Sequence, residues 1–345
     1  MMKVIGIDVS KLHLDLALLD QDGKVLQEAH ISNKASCLRK LLRSWIKGQC
    51  SGARMLVCLE PTGPYSFEAI KTMLAMGVPV WLAHPADIKN SLGMTRGKSD
   101  QVDARRIAQY ALRFGDKARF LDETFLHLQE LKDLLAARDQ FVRERAKYRM
   151  QQGDQLKAMQ GRAKACFKRC SDNMIAALTR SIAYVEKQVE AFLTSDPQLS
   201  LKRDLAMSVT GIGPVLSGEL LVVTRGFTRF TDPRQLVCYA GLAPYDYSSG
   251  TSIRGRTGVS EKANQYLKSL FHMAALNAVK VPGDLQTYYQ RKLAQGKAPM
   301  TALNAVRAKI VHHLWAVLES GIPLHAFQTP LANAIEIGVG VVSIR

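Results

Sequence analysis

Two short apolar runs near the start of the chain each stop at a carboxylate. Val4-Ile5-Gly6-Ile7 leads into Asp8, and Met55-Leu56-Val57-Cys58-Leu59 leads into Glu60, after which Pro61-Thr62-Gly63 breaks any regular structure. Apolar runs of this length, bounded by turn residues, read as buried strands. A charge at the end of such a strand is costly unless something compensates it. A second pair of acids, Asp100 and Asp103, opens a helical segment, and their i, i+3 spacing puts both on one helix face. Four carboxylates on two strand ends and one helix start suit a hard cation, most simply Mg²⁺. Two such ions about 4 Å apart hold both the attacking and the leaving oxygen of a phosphodiester.

Each acid also has a plainer reading. Asp8 alone serves as a turn residue, and Asp100 as an N-cap with Asp103 in the favourable first turn. Glu60 is harder to explain that way, because Glu rarely ends so apolar a run. It is the set of four that favours a metal site.

The segments around the acids read as an α/β domain over 1–122. Strands are expected at 3–10, 13–20 and 24–31, with a turn at Asp20-Gln21-Asp22-Gly23. His13 and Asp15 alternate with apolar residues, as in a half-exposed strand. Then follow a helix at 35–47, a strand at 54–60, a helix at 64–76, a strand at 78–83 and helices at 86–92 and 100–114. A β-meander followed by alternating strands and helices gives a mixed sheet with helices on its faces. This is the ribonuclease-H-like layout, with the acids converging at one edge.

Residues 123–195 read as a helical coiled-coil region. Ile175, Leu178, Ile182, Val185, Val189 and Phe192 form a heptad stripe. Its partner is either the preceding helix of the same chain, as an antiparallel hairpin, or a second copy; the expectation here is a homo-oligomer, dimer or tetramer. Residues 196–345 read as a mainly α-helical domain. The segment 205–218 looks like helix, glycine turn, helix, which presents backbone N–H groups to a phosphate. A loop at 245–256 holds Ser248, Ser249, Gly250, Arg254 and Arg256, and hydroxyl plus guanidinium suits a nucleophile facing a phosphate. Helix is expected at 261–281 and 296–320, with Lys262, Lys268, Arg291, Lys292, Arg307 and Lys309 spread through the region. Residues 326–345 carry no readable signal.

Lys and Arg number 47 against 30 Asp and Glu, a net charge of +17. That balance points to a polyanion as partner. Lys98, Arg105, Arg254, Arg256 and Lys262 are the basic residues expected to contact nucleic acid. No stretch is long and apolar enough to span a bilayer, and the start of the chain reads as a strand, not as a signal peptide. The six cysteines form no C-x-x-C pair, so zinc and a disulfide framework are not expected. Reduced thiols in the cytoplasm are the simplest reading.

In order and spacing these segments resemble the DEDD-type transposases of bacterial insertion sequences, the group that includes the Piv DNA invertase. The resemblance rests on Gly6-Ile7-Asp8-Val9-Ser10, Leu59-Glu60-Pro61-Thr62-Gly63, Lys98-Ser99-Asp100-Gln101-Val102-Asp103-Ala104, Thr210-Gly211-Ile212-Gly213-Pro214, Tyr239-Ala240-Gly241-Leu242-Ala243-Pro244 and Ser248-Ser249-Gly250. It implies a RuvC-like domain in which Asp8, Glu60, Asp100 and Asp103 bind Mg²⁺. It also implies a transposase domain whose catalytic Ser precedes a Gly, which maps onto Ser249, with Ser248 adjacent. It further implies an oligomer guided by a structured noncoding RNA that pairs with donor and target DNA. The family often has basic residues directly after the Ser-Gly; here Thr251-Ser252-Ile253 come before Arg254. The expected function is a site-specific DNA recombinase that cuts and rejoins through a phosphoserine. The rivals are a hydrolytic Holliday-junction-resolvase-like nuclease and a nucleic-acid scaffold without catalysis. A sugar-kinase-like ATPase, suggested by Gly6-Ile7-Asp8, lacks a second phosphate-binding glycine motif.

Overall fold

Met2–Val9 (β1), His13–Leu19 (β2) and Val25–Ser32 (β3) form an antiparallel meander. The Asp20 carboxylate closes its second turn by accepting from the amides of Asp22 (3.0 Å) and Lys24 (2.9 Å). Arg54–Leu59 (β4) and Val80–Leu82 (β5) then add in parallel, giving the order β3-β2-β1-β4-β5. This computed structural model describes residues 2–47, 54–91, 99–244, 248–249, 253–254, 258–259 and 263–324. Internal contacts divide the chain into two units, Met1–His127 and Leu128–Arg345.

In the first unit the alternation along β1 assigns its two faces. Ile5, Ile7 and Val9, with Leu14 and Leu16 of β2, pack on Leu38 and Leu42 of Ala35–Lys47 (α1) and on Ile70 and Met73 of Phe67–Leu74 (α2). Val4, with Ala17, Leu19, Leu56 and Cys58, packs on Ala104, Ile107 and Ala108 of a later helix. Pro85–Ser91 forms α3, and that later helix, Asp100–Arg113, is α4. Helices on both faces explain the unbroken apolar runs Val4–Ile7 in β1 and Met55–Leu59 in β4. Each fully buried Leu or Ile contributes roughly 1.5–3 kcal/mol. The expectation of a half-exposed second strand is corrected: every residue of β2 after His13 is buried, Asp15 included, because α4 covers the face left open in the sequence reading.

In the second unit, Glu123–Ala158 (α5) and Gly161–Ser195 (α6) are long antiparallel helices. The first residues of α5 fall in the first unit. Arg138 Nε donates to Glu186 (2.8 Å), Arg145 to Thr179 Oγ1 (3.4 Å) and Gln152 to Asp172 (2.7 Å). The partners step by seven in opposite directions, so the heptad stripe has its neighbour within the same chain. Ile182, Val185 and Phe192 are buried, whereas Ile175, Leu178 and Val189 are half-buried. Pro197–Met207 (α7), Pro214–Thr224 (α8), Pro233–Tyr239 (α9), Gln265–Ala278 (α10), Asp284–Ala294 (α11) and Pro299–Ser320 (α12) build the main core of this unit around Phe271, Leu220, Leu236 and Ile310. The expected helix–turn–helix at 205–218 is present as α7, Gly211 (φ +95°) and α8. A Cβ at Gly211 would lie 2.5 Å from the Ala274 carbonyl oxygen, so only glycine lets this turn seat on α10. Helices are expected from the sequence at 261–281 and 296–320; the structure adds α11 in the interval between them, set off by Pro282-Gly283.

Candidate active site

The four acids are brought together by one close approach. A Cβ added at Gly6 would clash with the Ala104 carbonyl oxygen and the Ala108 backbone. The missing side chain lets α4 lie directly on β1, with its first turn beside the end of the strand. Ser99 caps α4 by accepting from the Val102 amide (3.4 Å), which fixes Asp100 and Asp103 in that first turn. The parallel register Gly6↔Cys58 and Ile7↔Leu59 carries Asp8 and Glu60 out in step on the same sheet face.

Electrostatics report the convergence. Burial, then the charges of Asp100 and Asp103 and, more weakly, Asp15, push Asp8 up to about 6, while the Val9 amide partly offsets them. Burial, then Asp8 and Asp103, also raise Glu60 above the ordinary carboxylate range. Arg106 donates to Asp103 at 2.7 Å. Among the described residues no three acid, His or Cys side chains close into a ligand set. Half-buried carboxylates, raised by burial first and by neighbouring acids second, are hard oxygen donors that fit a divalent cation, whose charge would offset both.

Two neighbours escaped the sequence reading. Asp15 lies opposite Asp8 in the β1–β2 register and is 3% exposed. His30 on β3, opposite Asp15, places Nδ1 at 3.0 and 3.1 Å from its two carboxylate oxygens. The signal was available: a tight turn at Ser10–Leu12 sets 8 against 15.

The basic residues divide. Arg105 on α4 makes a two-armed pair with Glu28 of β3, its Nη2 at 2.6 Å. Ser249 lies on a two-residue strand, Ser248–Ser249 (β6), paired antiparallel with Ile253–Arg254 (β7) in the register Ser248↔Arg254 and Ser249↔Ile253. Lys98, Gly250, Arg256 and Lys262 lie outside the described residues.

A mixed sheet in this order, with carboxylates at the ends of β1 and β4 and on the helix across them, is a ribonuclease-H-like arrangement. A family model for the DEDD transposases of the IS110 type, described as "Transposase", matches residues 5–159, which hold all four acids. A second, "Transposase IS116/IS110/IS902 family", matches residues 203–290, which hold Ser249. Both matching models are those of insertion-sequence transposases, and between them they take in the greater part of this chain. It is 25% identical to the pilin gene-inverting protein of Moraxella lacunata over 92% of this chain and 96% of that one. It is 23% identical to the transposase for insertion sequence element IS1111A of Coxiella burnetii over 92% of this chain and 89% of that one. It is 31% identical to an insertion element IS116 protein of Streptomyces clavuligerus over 42% of this chain and 35% of that one. Among solved structures, Thermus thermophilus RuvC in complex with a Holliday junction substrate matches 35% of this chain and all of that chain, at 17% identity and a TM-score of 0.28.

Proposed function

We propose that the protein recombines DNA at specific sites, cutting and rejoining strands with Mg²⁺ held by Asp8, Glu60, Asp100 and Asp103 and with Ser249 as the nucleophile. The observation that carries this reading is the parallel register that brings Asp8 and Glu60 out together at the ends of β1 and β4, on the face covered by α4, whose first turn holds Asp100 and Asp103. Bound Mg²⁺ supplies Lewis-acid charge to the scissile phosphate. The Ser249 hydroxyl attacks phosphorus, the bond to the leaving sugar oxygen breaks, and that oxygen takes up a proton. The phosphoserine keeps the bond energy for rejoining, when a strand hydroxyl displaces Ser249. Arg254 and Arg256 complement the phosphate charge. Lys98, Arg105 and Lys262 bind the backbone of donor and target DNA or of a structured noncoding guide RNA; for Arg105 this requires release from Glu28. A net charge of +17 supports a polyanion partner. In this reading the working form is a dimer or tetramer in the cytoplasm; no described helix is long and apolar enough to cross a membrane.

A hydrolytic nuclease is the second reading, favoured by one fact: all four acids belong to the first unit and need no residue of the second to come together. Trapped DNA complexes distinguish the two. Mass spectrometry should find DNA joined to Ser249, and Ser249→Ala should bind DNA yet form no adduct. Free 5′-phosphate ends at rates unaffected by Ser249→Ala would make water the nucleophile.

A further inference from the structure

Beside the four acids lies a pair that the proposed chemistry does not use. Asp15 is a buried carboxylate in a strand that is otherwise apolar past His13. It adds negative charge where four other carboxylates already repel one another, and its charge reaches Asp8. A purely structural position there would be better filled by an apolar residue. Asp15 fixes the ring of His30, whose Nδ1 contacts both carboxylate oxygens while half of the side chain stays exposed. His13 stacks on that ring, with centroids 4.6 Å apart and planes 26° apart. With Nδ1 donating inward, Nε2 on the far side of the ring is left to meet a ligand. Asp8, Asp15 and His30 are paired across three neighbouring strands on the α4 face. By ordinary strand spacing His30 therefore stands about 10 Å from Asp8. Facing it are Asp15 and His13 from β2, Glu28 from its own strand, and Arg105 from α4, which Glu28 already engages.

We propose that His30, held by Asp15 and backed by His13, binds the nucleic-acid backbone phosphate next to the one seated at the four acids. The inference rests on the proposed function, since it takes the acids to hold a scissile phosphate. In its imidazolium form the ring donates through Nδ1 to Asp15 and through Nε2 to a phosphate oxygen, a charge-assisted bond. Asp15 is then a positioning residue. It sets the direction of the ring and touches no substrate.

The test titrates full-length protein against a fluorescein-labelled DNA duplex at about pH 6, from about 50 to 200 mM salt. His30→Gln keeps a donor for Asp15 and loses the charge. It should weaken binding roughly three- to tenfold at low salt and flatten the slope of log affinity against log salt by about 0.9, one phosphate. His30→Arg should restore the slope. His13→Gln, at an exposed position, should flatten it in part, and it remains a test if His30→Gln does not fold. A wild-type slope in both Gln variants overturns the proposal. Nicking of supercoiled plasmid in Mg²⁺ by Asp8→Ala and Glu60→Ala is read in parallel. If those variants still cut, the four-acid reading fails whatever His30 does; if they are dead and the Gln slopes are unchanged, only the phosphate contact fails.

Discussion

Gly6 and Ala104 meet with no room for a side chain between them, and this contact assembles the acid site. A Cβ at position 6 would also come within 2.9 Å of the Ala108 Cα. The obstruction is backbone on a buried helix, so relief requires α4 to shift as a whole. Gly6→Ala should therefore destabilise the first unit by about 3 kcal/mol. It should also weaken Mg²⁺ binding, because Asp100 and Asp103 move with the helix. Urea denaturation and a Mg²⁺ titration check both; unchanged Mg²⁺ affinity would mean that the α4 acids are not ligands.

Asp8 makes metal-free stability depend on pH. Its carboxyl is raised from 3.8 to about 6 in the folded chain. A raised acid contributes stability below its unfolded value and loses it as pH climbs through the folded value. In chelator, the loss attributable to Asp8 should fall between those two values. Asp8→Asn should stabilise the chelated protein at neutral pH by about 1 kcal/mol, after discounting for the half-exposed setting. Added Mg²⁺ should stabilise the native protein and not this variant, and that protection should fade below about pH 6 as Asp8 protonates. Thermal melts with and without Mg²⁺ give both readings.

Glu219 on α8 makes the same argument in the second unit, far along the chain from the acids. Burial, with Asp139 adding to it and Lys132 opposing, raises it from 4.5 to about 7. Its contribution is present in acid and lost as pH rises through that range. Glu219→Gln should be more stable than the native chain by about 3 kcal/mol above pH 7 and nearly equal to it at low pH. Melts of the two proteins at several pH values should converge on acidification. A constant gap would locate the effect in packing.

The α5–α6 hairpin should behave as part of one chain. Val185 is 8% exposed and lies on the seam between Ile182 and Phe192. Val185→Asp places an unpaired charge there and should cost several kcal/mol. Removing Arg138 and Glu186 singly and together should give a coupling of only about 0.2–1 kcal/mol, as for exposed pairs. Helix content and melting temperature follow the first change. If sedimentation falls to monomer with helicity intact, the seam serves a second copy instead.

Much of this was legible in the chain. The apolar runs ending at Asp8 and Glu60 became β1 and β4, and Ser99 with the spacing of Asp100 and Asp103 marked the start of α4. The heptad stripe in α6 was readable; whether its partner was α5 or a second copy was not, since both satisfy the same spacing. α11 went unseen because its apolar stripe is weak and only Leu285 is fully buried.

By itself the sequence determined what depends on near neighbours: strand and helix identity, the acids at element ends, the glycine turn at 211 and the basic charge. Tertiary structure decided what depends on distant ones. It buried Asp15, which reads as a half-exposed strand residue until α4, nearly a hundred residues later in the chain, covers that face. It set His30 against Asp15, and it occupied Arg105 with Glu28. Local spacing fixes which way a side chain points; only the packing of remote elements fixes what it meets there, and so which charges are paired, repelled or left to bind.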